Sequence, residues 1–210
     1  MMGSQSVIVA LALMSGASLY GLLASRPQGR VVAAGFWFDE VSFESSRLGG
    51  PLDQADLRTI ASIARSELAT AFAGLRVNLS ERPDARYRVR VVQHLLDRRF
   101  RREVAIAGES RAIPGFGGSG AVSFFFLASG AVASAPEGAD RASLIDAIGR
   151  GVGRAAVHEF VHQLLPLAPI HDTRDIQSYE YASAARREQY FGEMRWGPAR
   201  PLLQRAYGGG

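Results

Sequence analysis

Apolar and charged positions alternate along Tyr87–Val92 (YRVRVV), so Tyr87, Val89 and Val91 fall on one side of an extended chain and Arg88 and Arg90 on the other. That period of two predicts a strand with one buried face. Residues 31–43 (VVAAGFWFDEVSF) are rich in β-branched and aromatic side chains and predict a first strand. Beyond the Gly49-Gly50-Pro51 break the period changes. Leu57, Ile60, Ala61, Ala64, Leu68, Ala71, Phe72 and Leu75 recur at helical spacing, with Asp53 or Asp56 placed to cap the helix they imply. A second helical pattern covers residues 142–165: Leu144, Ile145, Ile148, Val152, Ala155 and Ala156 form its apolar side, and Asp140 stands at the N-cap position.

Between the two helices, residues 103–107 predict a strand that can pair with Tyr87–Val92 across an arginine-bearing connection. Residues 111–120 (RAIPGFGGSG) predict a glycine-rich loop. Residues 121–129 (AVSFFFLAS), with three phenylalanines between breakers, predict another strand. The order strand, helix, strands, helix implies an α+β domain, a mixed sheet with helices on one face, one of them long. Gly149, Gly151 and Gly153 each cost that long helix about 1 kcal/mol relative to alanine. Close packing of the helix on the sheet is the expected compensation. Their G-x-G-x-G spacing does not match a dinucleotide fingerprint.

Residues 1–25 carry no charged side chain, and 7–24 (VIVALALMSGASLYGLLA) form an apolar run long enough to cross a bilayer as a helix. The segment predicts a signal peptide or membrane anchor over 1–30, ahead of one folded domain over 31–210. The missing basic n-region and the bulky Leu22 and Leu23 favour an anchor that is not removed. The expected location is membrane-anchored or exported, on the non-cytoplasmic side, although Arg26 and Arg30 pull the other way.

The 210 residues fit a single domain, and the absence of cysteine excludes disulfide scaffolds, thiolate metal sites and cysteine nucleophiles. All 24 basic residues are arginine, against 20 acidic ones, for a net charge of +4. The one dense run, Arg98, Arg99, Arg101 and Arg102 around Phe100, reads as a solvated turn, and no nucleic-acid partner is expected.

The chemistry is concentrated at the end of the long helix, in His158-Glu159-Phe160-Val161-His162. Histidines four apart share a helix face, with Cβ atoms about 6 Å apart, so both rings can reach one zinc ion. Glu159 follows His158 by about 100° of rotation, which sets its carboxylate beside such an ion as a base and not as a ligand. With four histidines in the chain, shuffling would produce this pattern in roughly one sequence in a few hundred. His94, in the strand region, reads as a partly buried polar residue. Trp196 with Arg195, Arg200 and Arg205 reads as a C-terminal packing layer.

Over residues 158–162 the chain resembles the zincin metallopeptidases, and over about 33–181 its element order is similar to the N-terminal subdomain of their metzincin branch. The resemblance implies a zinc-dependent peptidase in which His158 and His162 bind the metal and Glu159 is the general base. A metzincin would carry a turning glycine and a third histidine six residues past the second; here Leu165 stands in place of the glycine, and the next histidine is His171. Pro166 and Pro169 can end the helix and return His171 to the metal. The alternative third ligand, implied by the gluzincin branch, is Glu180 at the start of a helix expected to run to Tyr190. Ser178-Tyr179-Glu180-Tyr181 is similar to a methionine turn but has glutamate where methionine belongs. Tyr179 and Tyr181 are candidate donors to a developing oxyanion, and Asp172 and Asp175 candidate partners that orient a histidine. The expected partners are a peptide or protein substrate, which residues 121–129 would hold by strand addition, and a membrane through the N-terminal segment. A second reading is a zinc-holding, non-catalytic, membrane-tethered binding domain.

Overall fold

The computed structural model describes residues 31–97, 104–168 and 170–209. The expected anchor over 1–30, the arginine run of 98–102 and Pro169 lie outside them. Among the described residues no helix is long and apolar enough to cross a membrane.

Five strands form the main sheet: β1 (Val32–Phe38), β4 (Val77–Ser80), β5 (Tyr87–Val92), β8 (Gly108–Ile113) and β9 (Gly117–Ser123), in the order β4-β1-β5-β9-β8. The first four neighbours are parallel, and β8 closes one edge antiparallel to β9, making the sheet mixed. Two small hairpins accompany it, β2 (Glu44–Ser45) with β3 (Gly50–Pro51) and β6 (Leu96–Asp97) with β7 (Val104–Ala105). The alternation in β5 works as its sequence dictates: Tyr87, Val89 and Val91 are buried, while Arg88 and Arg90 face solvent.

Helix α1 (Gln54–Ala71) uses both candidate aspartates. Asp53 Oδ1 accepts from the Ala55 and Asp56 amides at 2.7 and 2.9 Å, and the Asp56 carboxylate accepts from the Asp53 amide at 2.9 Å, a reciprocal capping box. The remaining helices are α2 (Phe124–Ser134), α3 (Arg141–Leu164), α4 (Glu188–Phe191) and α5 (Ala199–Tyr207). Helix α3 starts where expected, with Asp140 Oδ1 accepting from the Ser143 amide at 2.7 Å. It is the axis of the domain, packed against α1, α2, α4 and three strands of the sheet. Nearly every one of its residues from Leu144 to Leu164 is buried.

Four local expectations are corrected. Residues 111–120 are not a loop: the β8–β9 hairpin occupies them, with its turn between Ile113 and Gly117. The apolar run 121–129 is strand only to Ser123. There the Ser123 hydroxyl accepts from the Phe126 amide at 3.3 Å and starts α2, and Phe124, Leu127, Ala128 and Ala131 form its buried face. Spacing three, four and seven is helical, and burial of that face outweighs the β-propensity of three phenylalanines. The strand expected at 103–107 pairs with Leu96–Asp97 and not with Tyr87–Val92. No helix runs from Glu180 to Tyr190; only Glu188–Phe191 is helical there.

The α3 glycines are explained by close approach, to a helix more than to the sheet. A Cβ on Gly149 would lie 2.7 Å from Ile63 Cβ, one on Gly153 2.7 Å from the Ala64 carbonyl oxygen, both on α1, and one on Gly151 2.6 Å from the Tyr190 ring. Gly153→Ala therefore sets a propensity gain of about 1 kcal/mol against an overpacking cost of about 1–3 kcal/mol. We expect a net loss, read as a lower urea midpoint; an increase would show that α1 yields freely.

Candidate metal centre

The last two turns of α3 carry His158 and His162 on one face, and the chain then reverses beyond the helix cap at Leu165 to bring His171 back. His162 Nε2 lies 3.1 Å from His158 Nε2 and 3.1 Å from His171 Nε2. The three imidazoles offer nitrogens that all lie within 4.8 Å of one another, a group that could hold a metal ion. His158 Nδ1 lies 2.9 Å from the Tyr179 carbonyl oxygen. Donating there fixes the Nδ1–H tautomer and leaves the Nε2 lone pair facing the other two rings. Three imidazole nitrogens gathered this closely, each able to present a lone pair, have the chemistry of a cation site.

Glu159 is buried, 6% exposed, and packs directly on Gly108 of β8, where any Cβ would overlap its carboxyl group. Ser110 Oγ donates to the Glu159 carbonyl at 3.1 Å and ties this turn of α3 to the same strand. Burial, with a smaller contribution from the Glu109 charge, pushes the Glu159 carboxyl up to about 8. Burial brings His158 down to about 4, despite the Tyr179 hydrogen bond, and brings His162 down to about 4 with the help of the His171 charge. The rings and the carboxyl line one cleft of about 1180 Å³, bounded by β8, the residues around Tyr181 and the β6–β7 hairpin.

The other candidate residues have different partners. Glu180 is fully buried, and its carboxylate accepts from Ser178 Oγ at 2.7 Å, the Gly197 amide at 3.0 Å and the Ala199 amide at 2.8 Å. Its oxygens hold the entry to α5 and lie outside the histidine group. Asp172 accepts from the Arg174 and Asp175 amides at 2.8 and 3.3 Å, and Asp175 pairs with Arg195 at 2.5 and 3.0 Å. Neither carboxylate is hydrogen-bonded to an imidazole; the Tyr179 carbonyl does the orienting instead. The Tyr179 ring is buried, 5.0 Å from Trp196, and burial pushes its phenol up to about 12. Tyr181 is half-buried in the cleft wall, with the Arg186 guanidinium 4.8 Å from its ring centre. His94 is exposed, not partly buried, with its ring tilted against Phe125 at 4.9 Å between centres. Trp196 does pack in the C-terminal layer, donating to the Ala71 carbonyl at 3.0 Å.

Two residues of the site region escaped the sequence reading. Gln163 is buried and bonds the backbone of Arg88 twice, accepting from its amide at 3.1 Å and donating to its carbonyl at 3.0 Å, so the motif helix is locked in register with β5. Gly118 and Gly120 leave the room for that side chain, a signal present in the glycine run of 117–120. Arg186 is buried in the cleft wall and donates to the Ser178 carbonyl at 2.9 Å, yet no carboxylate of the described residues pairs with it. No sequence pattern singles it out. No protein-family model, curated protein or solved structure matches the chain.

The shifts give the metal-free protein a defined pH response. The lowered histidines stabilise the fold above their ordinary 6.5, and that contribution is lost as pH falls towards about 4. The raised Glu159 stabilises it below its ordinary 4.5, and that contribution is lost as pH rises through about 8. In chelator, the urea midpoint of Glu159→Gln should therefore gain on wild type steadily from pH 5 to pH 8. A difference independent of pH would show that the carboxyl is not desolvated.

Proposed function

We propose that the protein is a zinc-dependent metallopeptidase with a zincin-like α+β domain, its helices on one face of the sheet, tethered through its N-terminal segment and facing the non-cytoplasmic side of a membrane. The observation that carries this reading is the convergence of three imidazole nitrogens and a buried carboxyl group in one cleft. Tetrahedral zinc held at 2.0–2.1 Å would place its ligand nitrogens about 3.3 Å apart, and the two close pairs here stand at 3.1 Å. An all-imidazole set of three leaves a fourth position open, the pattern of a catalytic zinc site. His158, His162 and His171 are the ligands in this reading.

A bound zinc ion would supply Lewis acidity, acidifying water and polarising a carbonyl, and its charge would favour the ionised form of a neighbouring carboxyl group. Glu159 then takes a proton from the attacking water at its carboxylate and returns it to the leaving amine. Its packing on Gly108 keeps solvent away from one side of that carboxylate. Tyr181, in the cleft wall, is the better placed of the two tyrosines to donate to a developing oxyanion, because Tyr179 is buried against Trp196. The strand suited to hold an extended peptide is β8, not residues 121–129: β9 is paired on both sides, whereas β8 is the sheet edge and lines the cleft.

The test is metal content together with hydrolysis of a mixed peptide library. Wild type should hold one zinc per chain and cleave peptides, and Glu159→Ala should keep the zinc and lose activity about 10²–10⁴-fold. Undiminished cleavage by that variant would overturn the mechanism. Stoichiometric zinc with no cleavage by wild type would favour the alternative, a metal-holding binding domain.

A further inference from the structure

We propose that the end of the sheet at which β1 begins is a bilayer-contact surface, seated on a membrane containing anionic lipids. The inference rests on the membrane tether of the reading above and adds which face of the domain meets the lipid. Ala34 of β1 is in register with Tyr87 of β5, which is in register with Gly118 of β9. Counting back from that level puts Phe116, in the β8–β9 turn, beside Val32, two strand spacings or about 10 Å away. Helix α3 runs towards the same end: Glu159 packs at Gly108, which pairs with Val122, and Gln163 packs at Gly118. The chain leaving α3 therefore emerges there too, carrying Leu167.

This end gathers four of the seven large apolar side chains that stand exposed among the described residues: Val31 at 59%, Ile113 at 66%, Phe116 at 80% and Leu167 at 51%. They come from three separate stretches of chain, Ile113 and Phe116 sharing the β8–β9 hairpin tip, and each is more than half exposed. Single exposed apolar residues are ordinary, but a group at one end of a sheet with a phenylalanine at its tip marks an interaction surface. Arg86 Nε donates to the Phe116 carbonyl at 3.1 Å and sets an exposed cation beside the tip, and Arg111 stands exposed near the same end of β8. Apolar tips flanked by arginine suit a headgroup layer in which rings enter the acyl boundary and guanidinium groups stay with phosphates.

The tether selects the occupant. The apolar run ends at Ala24, so only residues 25–30 separate it from Val31. Six residues reach at most about 22 Å. A segment held in a bilayer that close brings the β1 start, and with it Ile113, Phe116 and Leu167, to the lipid surface before any other part of the domain.

The chain lacks cysteine, so a single introduced thiol can be labelled specifically. The full-length protein is reconstituted in phosphatidylcholine–phosphatidylglycerol vesicles as Phe116→Cys or, at the opposite end of the sheet, Phe125→Cys, each carrying an environment-sensitive fluorophore. We expect the label at position 116 to be blue-shifted and quenched several-fold by spin-labelled lipid, and the label at 125 to be unaffected. Protein that floats with the vesicles while the label at 116 stays in water overturns this inference alone. Protein that fails to float overturns the membrane tether, and this inference with it.

Discussion

The depth at which α3 is buried is the constraint on which the rest of the structure depends. A helix packed on helices at one side and on three strands at the other has little solvent-facing surface, and its residues must be small wherever a neighbour's backbone approaches. Gly149 and Gly153 meet that demand against Ile63 and Ala64, and Gly151 meets it against the Tyr190 ring. Gln163, bonded to both backbone groups of Arg88, sets the rotation and height of the helix against β5. With the helix thus positioned, His158, Glu159 and His162 face the cleft beside β8 with no further adjustment.

The same burial governs the electrostatics. Desolvation penalises the charged forms of His158, Glu159 and His162, lowering the two imidazoles and raising the carboxyl. The Tyr179 carbonyl selects which nitrogen of His158 remains free. Beneath the site, Glu180 satisfies two backbone amides at the start of α5 and one hydroxyl, which anchors the segment carrying Tyr179 and Tyr181. A buried carboxylate with three donors serves here as a structural fastening, and that use is incompatible with turning it to a metal.

Arg186 is the counterpart of Glu180 on the cleft side. It is buried, it bonds carbonyls and an aromatic ring, and burial lowers the affinity of its guanidinium for its proton. Neutral acceptors satisfy part of its donor capacity, and Nε is left without a partner. The cleft wall thus carries the positive charge of Arg186 in the same cleft that the three imidazoles line.

Local pattern was enough to locate α1, its aspartate cap, β5 and α3, because each rests on a period or a cap that neighbouring residues specify among themselves. It also placed three candidate ligands within fourteen residues ending at a loop histidine. It was not enough for residues 121–129, where an apolar run has no period of its own and the face it buries decides between strand and helix. Nor could it rank His171 against Glu180, since both follow α3 at distances a loop can span. That choice belongs to tertiary structure. The return of the chain past Leu165 brings one imidazole to the other two, while the amides of Gly197 and Ala199, seventeen and nineteen residues further on, claim the glutamate first. Chemistry encoded in one helical turn was legible from the chain itself; chemistry that depends on which distant donor reaches a side chain was decided only by the fold.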